Sequence, residues 1–191
     1  MYLFVDTETT GLPKDRHAPP SDLDNWPRLV QLAWILLAED GRELEAKAFI
    51  VKPEGFSVPR DASRIHGITG ERAAREGLAL AFVLAEFAGA VSRSSVLISH
   101  NMNFDENVLK AELIRAGVSD ILSSMSTICT KESATDYCKL PGRYGKYKWP
   151  TLQELHRTLF GSEFEAGHDA AIDVRICAKC FAELKRCGVI A

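Results

Sequence analysis

Tyr2-Leu3-Phe4-Val5 is a run of four apolar residues, aromatic and β-branched among them, that ends abruptly at Asp6. A strand exposed on one side alternates apolar with polar residues, so a run without alternation belongs to a strand covered on both faces. Such a strand needs helices on both sides of a sheet, and an α/β architecture is the expectation.

The rest of the chain fits that frame. Gly11 to Pro27 is rich in proline and polar residues and reads as a loop. Val30 to Ala38 is apolar again, Asp40-Gly41 is a hairpin signal, and Glu43 to Val51 carries Leu44, Ala46, Ala48 and Ile50 at alternate positions. Three successive strands, partly antiparallel, therefore begin the sheet. After a connection containing Pro and Gly, Leu80, Leu84, Phe87 and Val91 recur at helical spacing, and Val96-Leu97-Ile98 reads as a buried strand. Asn103 with Glu106 has the spacing of a capping box that opens a helix, and Gly117 is its natural stop. Thr151 with Glu154 repeats the signal before Leu152, Leu155 and Leu159, with Gly161 past the end. A last helix is predicted from about Ala170 to Arg186, followed by Gly188. The 191 residues, 46% apolar, suit one core, so a single domain over 1–191 is expected.

Certain carboxylates do not belong to such a core. Asp6 and Glu8 are two apart at the end of the first strand, so in extended geometry both project from one face, where they repel unless a cation sits between them. Taken alone, an Asp-x-Glu pair is what many strand ends show. Asp173 says more, because Ile176, Cys177, Cys180, Phe181 and Leu184 follow it along the inward stripe of the last helix. A carboxylate in line with a core face must find a cation, a metal or strong donors, or lie at the rim. The same stripe makes Cys177 and Cys180 core residues rather than a zinc or redox pair. Asp105 falls in the first turn of its helix, where the helix dipole tolerates an acid. His168 precedes the last helix and follows Gly167, at a position open to solvent.

The 23 basic against 26 acidic residues give a formal charge of −3, which excludes nucleic-acid binding by bulk positive charge and demands a local device. Tyr137 to Gln153 offers one: Lys139, Arg143, Lys146 and Lys148 with no acid, interleaved with Tyr137, Tyr144, Tyr147 and Trp149. The stretch reads either as a track for the phosphates of a single strand or as a surface loop whose aromatics anchor it to the core. Five scattered cysteines give no disulfide framework and fit a reducing cytosol. The segment before Asp6 lacks signal-peptide features, and the apolar runs are too short for a bilayer. A cytoplasmic protein with no membrane partner is expected.

Val5-Asp6-Thr7-Glu8-Thr9-Thr10-Gly11-Leu12, His100-Asn101-Met102-Asn103-Phe104-Asp105 and His168-Asp169-Ala170-Ala171-Ile172-Asp173 together resemble the three ordered motifs of the DEDDh, or DnaQ-like, family of 3′–5′ exonucleases, which includes the proofreading epsilon subunit of bacterial DNA polymerase III. Ile65-His66-Gly67-Ile68-Thr69 resembles a segment that epsilon-type members carry between the first two motifs. The resemblance implies an RNase H-like fold, a five-stranded mixed sheet flanked by helices, whose fifth strand would fall near Ser126 to Cys129. It implies that Asp6, Glu8, Asp105 and Asp173 bind two divalent ions, Mg²⁺ or Mn²⁺, and that His168 is the general base. It also implies contacts to the terminal nucleotide from Thr9, Leu12, Ile65, His66 and Phe104. On the residues alone, Ile65 and Phe104 read equally well as core packing. Asp169 is an extra acid beside His168, where it can raise the imidazole pKa or hold the ring.

The expected function is metal-dependent exonuclease cleavage at the 3′ end of DNA, releasing nucleoside 5′-monophosphates in proofreading or repair. The implied partners are single-stranded DNA or frayed 3′ ends, and a DNA polymerase subunit. Epsilon subunits continue into a polymerase-binding tail, whereas this sequence ends at Ala191, directly after the last helix. The alternatives are an RNA-trimming relative of the oligoribonuclease or RNase T type, and a silent nucleic-acid-binding module. The silent module predicts loss of at least one of Asp6, Glu8, Asp105, His168 and Asp173, and all five are present.

Overall fold

The computed structural model describes residues 1–164 and 168–190. Five strands, β1 (Tyr2–Thr9), β2 (Leu29–Leu37), β3 (Glu43–Ile50), β4 (Val96–Ser99) and β5 (Ser126–Cys129), form one mixed sheet in the order β3-β2-β1-β4-β5. β1 runs antiparallel to β2 and parallel to β4, β2 and β3 form the expected hairpin, and β5 runs parallel to β4. The fifth strand occupies the expected place.

β1 is central because its apolar run leaves no face for water. Leu3 and Val5 enter one core layer with Leu32, Trp34 and Leu36 of β2, while Phe4 enters the other with Ala33 and Ile35. Between β3 and β4 lie three helices: α1 (Arg60–His66), α2 (Gly70–Glu76) and α3 (Leu80–Val91). The first two, seven residues each, are too short to show a helical period, so the sequence pattern predicts only a connection there. Their ends are nonetheless built from local chemistry, with Gly67 closing α1 at φ 72° and the Thr69 hydroxyl accepting from the Arg72 N–H at 3.1 Å to open α2.

α4 (Met102–Arg115) follows β4 and packs with α3 on the Leu3 layer. Its N-cap is Asn101 rather than Asn103, and the expected capping box does not form. Asn103 therefore lies inside the first turn, and Glu106 pairs with Lys110 one turn on at 2.7 Å. After β5 come two single-turn helices, α5 (Thr130–Ser133) and α6 (Thr135–Cys138), then α7 (Leu152–Phe160) and α8 (Ala170–Arg186). The Thr151–Glu154 capping box of α7 and the bounds of α8 are as expected. α8 covers the Phe4 layer, with Phe181 edge-on to Phe4 at 5.2 Å. Cys177 and Cys180 are buried in this layer, where loss of hydration raises both thiol pKa values, that of Cys180 to about 12.

The proline-rich loop between β1 and β2 is held rather than loose. Arg115 donates to the carbonyls of Trp26 at 2.7 Å and Pro27 at 3.3 Å, while the buried Glu112 accepts from Arg28 Nε at 2.8 Å and the Leu29 N–H at 3.0 Å. Two charged residues of α4 thus fix the end of this loop where it enters β2. Among the described residues no helix is long and apolar enough to cross a membrane.

Candidate active site

β1 and β4 are parallel neighbours, so their carboxyl ends and the start of α4 meet at one edge of the sheet, where open α/β sheets form crevices. Along β1, period-two alternation continues the Phe4 face into Asp6 and Glu8, toward α8. The inward stripe of α8 carries Asp173 up to the same place, one turn beyond Cys177. Asp105 arrives from the opposite layer, on the first turn of α4, and accepts from the Thr7 hydroxyl at 2.7 Å. A cleft of about 390 Å³ is lined by Asp6, Glu8, Asp105, His168 and Asp173 together. Ligand atoms of Glu8, His168 and Asp173 all lie within 4.8 Å of one another.

The electrostatics show what the cleft lacks. Asp6 is held well above the ordinary carboxylate pKa by burial, and then by the charges of Asp105, Asp173 and Glu8. Glu8, only 9% exposed, is pushed up to about 8 by burial and then by Asp173 and Asp105. Burial raises Asp105 to about 6 although Thr7 and Ser99 hydrogen bonds pull it down, and burial raises Asp173 against the opposing influence of His168. Four carboxylates in one partly desolvated cleft favour a cation over their own ionisation alone. An all-oxygen donor set beside one imidazole fits a hard divalent ion rather than a soft one.

His168 is exposed and adopts a left-handed backbone, φ 43°, just before α8. Gly167, expected to open this position, lies outside the described residues. Asp169 does not hold the His168 ring: its carboxylate caps α8, accepting the Ala171 N–H at 2.9 Å, and accepts from Gln31 Nε2 at 3.2 Å. The capping bond and the buried amide outcompete a turn back toward the imidazole. Gln31 also accepts the Ala170 N–H at 3.1 Å, so one β2 side chain clamps the start of α8 between His168 and Asp173. Sequence reasoning missed Gln31. Its one signal is a polar residue inside the apolar run of β2, two residues past Leu29.

Of the five residues expected to meet a nucleotide, Leu12 and Phe104 line two neighbouring spaces. Phe104 lines the cleft and also a second cavity of about 470 Å³, into which Leu12 projects. The two cavities share Asn101, Phe104, Lys131 and Trp149 as a wall. Phe104 packs partly against the core as well, as its core reading expects. Ile65 is 57% exposed, which rules out core packing, and it lines neither cavity. His66 on the same helix is buried, its Nδ1 accepting the Ile68 N–H at 3.1 Å; its Nε2 has no hydrogen-bond partner among the described residues. Burial, with His168 nearby, lowers the His66 pKa. The Thr9 hydroxyl donates to the Gly11 carbonyl at 2.7 Å and shapes the turn toward Leu12.

His100, the first residue of the second motif, plays a structural part. Its ring bonds the Thr130 hydroxyl and the Pro150 carbonyl, each at 3.0 Å, and burial lowers its pKa to about 4. A neutral imidazole there ties the segment after the basic-aromatic stretch to the cleft floor. Lys131, also missed, bonds the Asn101 side chain and lies 4.5 Å from the Trp149 ring centroid.

The fold and the cleft have counterparts. A family model described as Exonuclease (RNase_T) matches residues 3–181. DNA polymerase III subunit epsilon of Treponema pallidum (strain Nichols) is 25% identical over 180 residues, covering 94% of this chain and 74% of that protein. Among solved structures, E. coli exonuclease I in complex with a dT13 oligonucleotide superposes with a TM-score of 0.76 at 22% identity, over 97% of this chain and 40% of that one. The zinc-bound form of the exonuclease I–single-stranded DNA complex gives 0.73 at 22% identity, with the same coverage. The chain thus spans about 40% of the length of those exonuclease I chains, and the likeness shows the RNase H-like fold. The family model covers all three motifs and nearly the whole sequence, and on that match the chain belongs to the exonuclease family.

Proposed function

We propose that this protein is a metal-dependent 3′–5′ exonuclease that removes nucleoside 5′-monophosphates from the 3′ ends of single-stranded or frayed DNA, in proofreading or repair. The observation that carries this reading is the convergence of Asp6, Glu8, Asp105, His168 and Asp173 on one cleft from three separate parts of the chain. A silent binding module has no use for four mutually repelling carboxylates. The relatives favour DNA over RNA, one being a DNA polymerase subunit and another a nuclease bound to a dT13 strand. A DNA polymerase is on the same ground the proposed partner.

Asp6, Glu8, Asp105 and Asp173 are the proposed holders of two Mg²⁺ or Mn²⁺ ions. When bound, the two ions supply charge neutralisation at the scissile phosphate and a lowered pKa for the attacking water. The protein does the rest. His168, exposed at the mouth of the cleft, is the proposed general base that takes the water's proton. Gln31 keeps the left-handed turn at His168 and the first turn of α8 in register, so base and carboxylate stay in fixed relation. Phe104 and Leu12 press on the base and sugar, a contact that tolerates any base. His66, buried beside Thr9, supports the backbone that leads to Leu12, and Ile65 on the same helix contributes exposed apolar surface.

A strand carrying a 3′-phosphate instead of a 3′-hydroxyl tests direction. Label at the 3′-terminal nucleotide should leave first, as a 5′-monophosphate, from the free end only. Release of internal fragments, or equal cutting of both strands, would sink the reading. Gln31→Leu removes both clamp bonds at nearly constant volume. It is expected to lower kcat about 10- to 100-fold with KM little changed, the scale seen when partners that orient site residues are lost. Steady-state kinetics on a short oligonucleotide checks this, and an unchanged kcat would remove Gln31 from the machinery.

A further inference from the structure

The basic-aromatic stretch has a definite shape. Residues 140–148 form a small hairpin: the Gly142 N–H bonds the Lys146 carbonyl at 2.9 Å, the Lys148 N–H bonds the Leu140 carbonyl at 3.0 Å, and Pro141 bridges Tyr147. Gly142 is required there, since a Cβ would lie 2.5 Å from the Lys146 carbonyl oxygen. The tip carries Tyr144 in a left-handed conformation, φ 56°, and 96% exposed. Tyr147 and Trp149 are about half exposed, so the aromatics do not anchor the hairpin to the core. An array of aromatic faces left in water is unusual unless something stacks on it.

The charges sort themselves as well. Lys148 is taken by Glu154 at 2.6 Å. Among the described residues, no carboxylate lies within ion-pair distance of Arg143 or Lys146. From the hairpin the chain runs through Trp149 and Pro150 directly into the wall of the carboxylate cleft, where Lys131 sits over the Trp149 ring and Pro150 is tied to His100. The local positive charge that a chain of net −3 needs is therefore aimed at the site.

We propose that Lys131 and Trp149, continued by the hairpin with Arg143, Tyr144 and Lys146, form a strand-binding strip that holds the phosphates and base faces of single-stranded nucleic acid upstream of the bond being cut. The proposal rests on the nuclease reading of the cleft, for which it names the grip on the rest of the substrate. Stacking on Tyr144 and Trp149 is indifferent to base identity, and cations on the backbone are indifferent to sequence, as a nuclease that consumes a whole strand needs. Neither contact reads the 2′-position.

The test is binding of a dT oligonucleotide and a matched rU oligonucleotide in EDTA, read by anisotropy over a series of salt concentrations. Catalysis is then off and the carboxylate cleft contributes no bound cation, so failure of the strip and failure of the nuclease reading are separate results. Arg143→Ala with Lys146→Ala should reduce the slope of log K against log salt by about 1.4, two phosphate contacts on a single strand at about 0.7 each. Trp149→Ala should weaken binding about 5- to 150-fold, with Trp149→Phe restoring most of it, because the loss is of a stacked ring. Lys148→Ala, on the same hairpin but paired with Glu154, should leave the slope unchanged. Loss on either oligonucleotide supports the strip, and a similar loss on both is what contacts blind to the 2′-position predict. An unchanged slope in the double variant on both, or an equal loss from Lys148→Ala, overturns it.

Discussion

Asp173→Ala is expected to lower the rate of 3′-end cleavage by about 10³-fold or more and to shrink the thermal stabilisation that Mn²⁺ gives the wild-type protein. Losing one donor aimed at developing charge in an active site costs about 10² to 10³ in rate. A carboxylate carries a full charge, and on the proposed reading Asp173 would share a cation with Glu8, whose ligand atom lies within 4.8 Å of its own, so its loss belongs at or above the top of that range. The fold should tolerate the change. Asp173 sits at the rim of α8, is only partly buried, and burial already raises its pKa, so removing it relieves an unfavourable ionisation in the metal-free protein. Asp6→Ala should behave the same way for the same reason. The checks are kcat on a labelled strand and melting temperature with and without Mn²⁺, where a bound ion stabilises by mass action. Undiminished activity, or an undiminished metal-dependent shift in both variants, would separate these carboxylates from the chemistry.

Melting of the metal-free protein should fall as pH rises from about 6.5 to 8.5. Glu8 titrates near 8 in the folded protein against about 4.3 unfolded, and Asp6 is raised in the same direction. Over this window the folded state holds more protons than the unfolded state, so stability declines with pH until the folded pKa is passed. Glu8 alone accounts for about 2 kcal/mol between these limits, worth about 4–8 °C for a chain of this size. Below about pH 6.5 the buried His66 and His100, whose pKa values are lowered, act in the opposite sense and lose stability as the pH falls. Saturating Mn²⁺ should flatten the decline, because bound carboxylates are ionised whatever the pH and the metal's own stabilisation grows as competing protons leave. Scanning fluorimetry in EDTA and in Mn²⁺ across the window measures both curves. A metal-free melting temperature that rises from pH 6.5 to 8.5 would show that the cleft carboxylates are not desolvated and repelling as described.

The parts legible in the sequence are those whose physics is local or periodic. The two-faced burial of β1 follows from four apolar residues in a row, the α7 start from Thr151 and Glu154, and the place of Asp173 from the stripe that it heads. Asp6 and Glu8 share a face because strands alternate. What the pattern does not carry is contact between distant segments. Gln31 and Asp169 meet across 138 residues, and the bond that joins them decides that Asp169 caps a helix instead of holding His168. Lys131 is one lysine among many until Asn101 and Trp149 are folded against it. The capping box expected at Asn103 fails because the helix starts two residues earlier, with Asn101 as N-cap, which leaves Asn103 inside the first turn. The short α1 and α2 have too few turns to print a period. The basic-aromatic stretch stands between these cases: its composition is visible, but which of its cations is already paired is a tertiary fact.

The most direct measurement is incubation of a 5′-labelled single-stranded oligodeoxynucleotide with the protein in Mn²⁺, beside a matched RNA, an EDTA control and Asp173→Ala. The expected result is a ladder on DNA that shortens one nucleotide at a time from the 3′ end, absent in EDTA and nearly absent in the variant. An intact DNA strand after prolonged incubation in Mn²⁺, or the same ladder from Asp173→Ala, would contradict it.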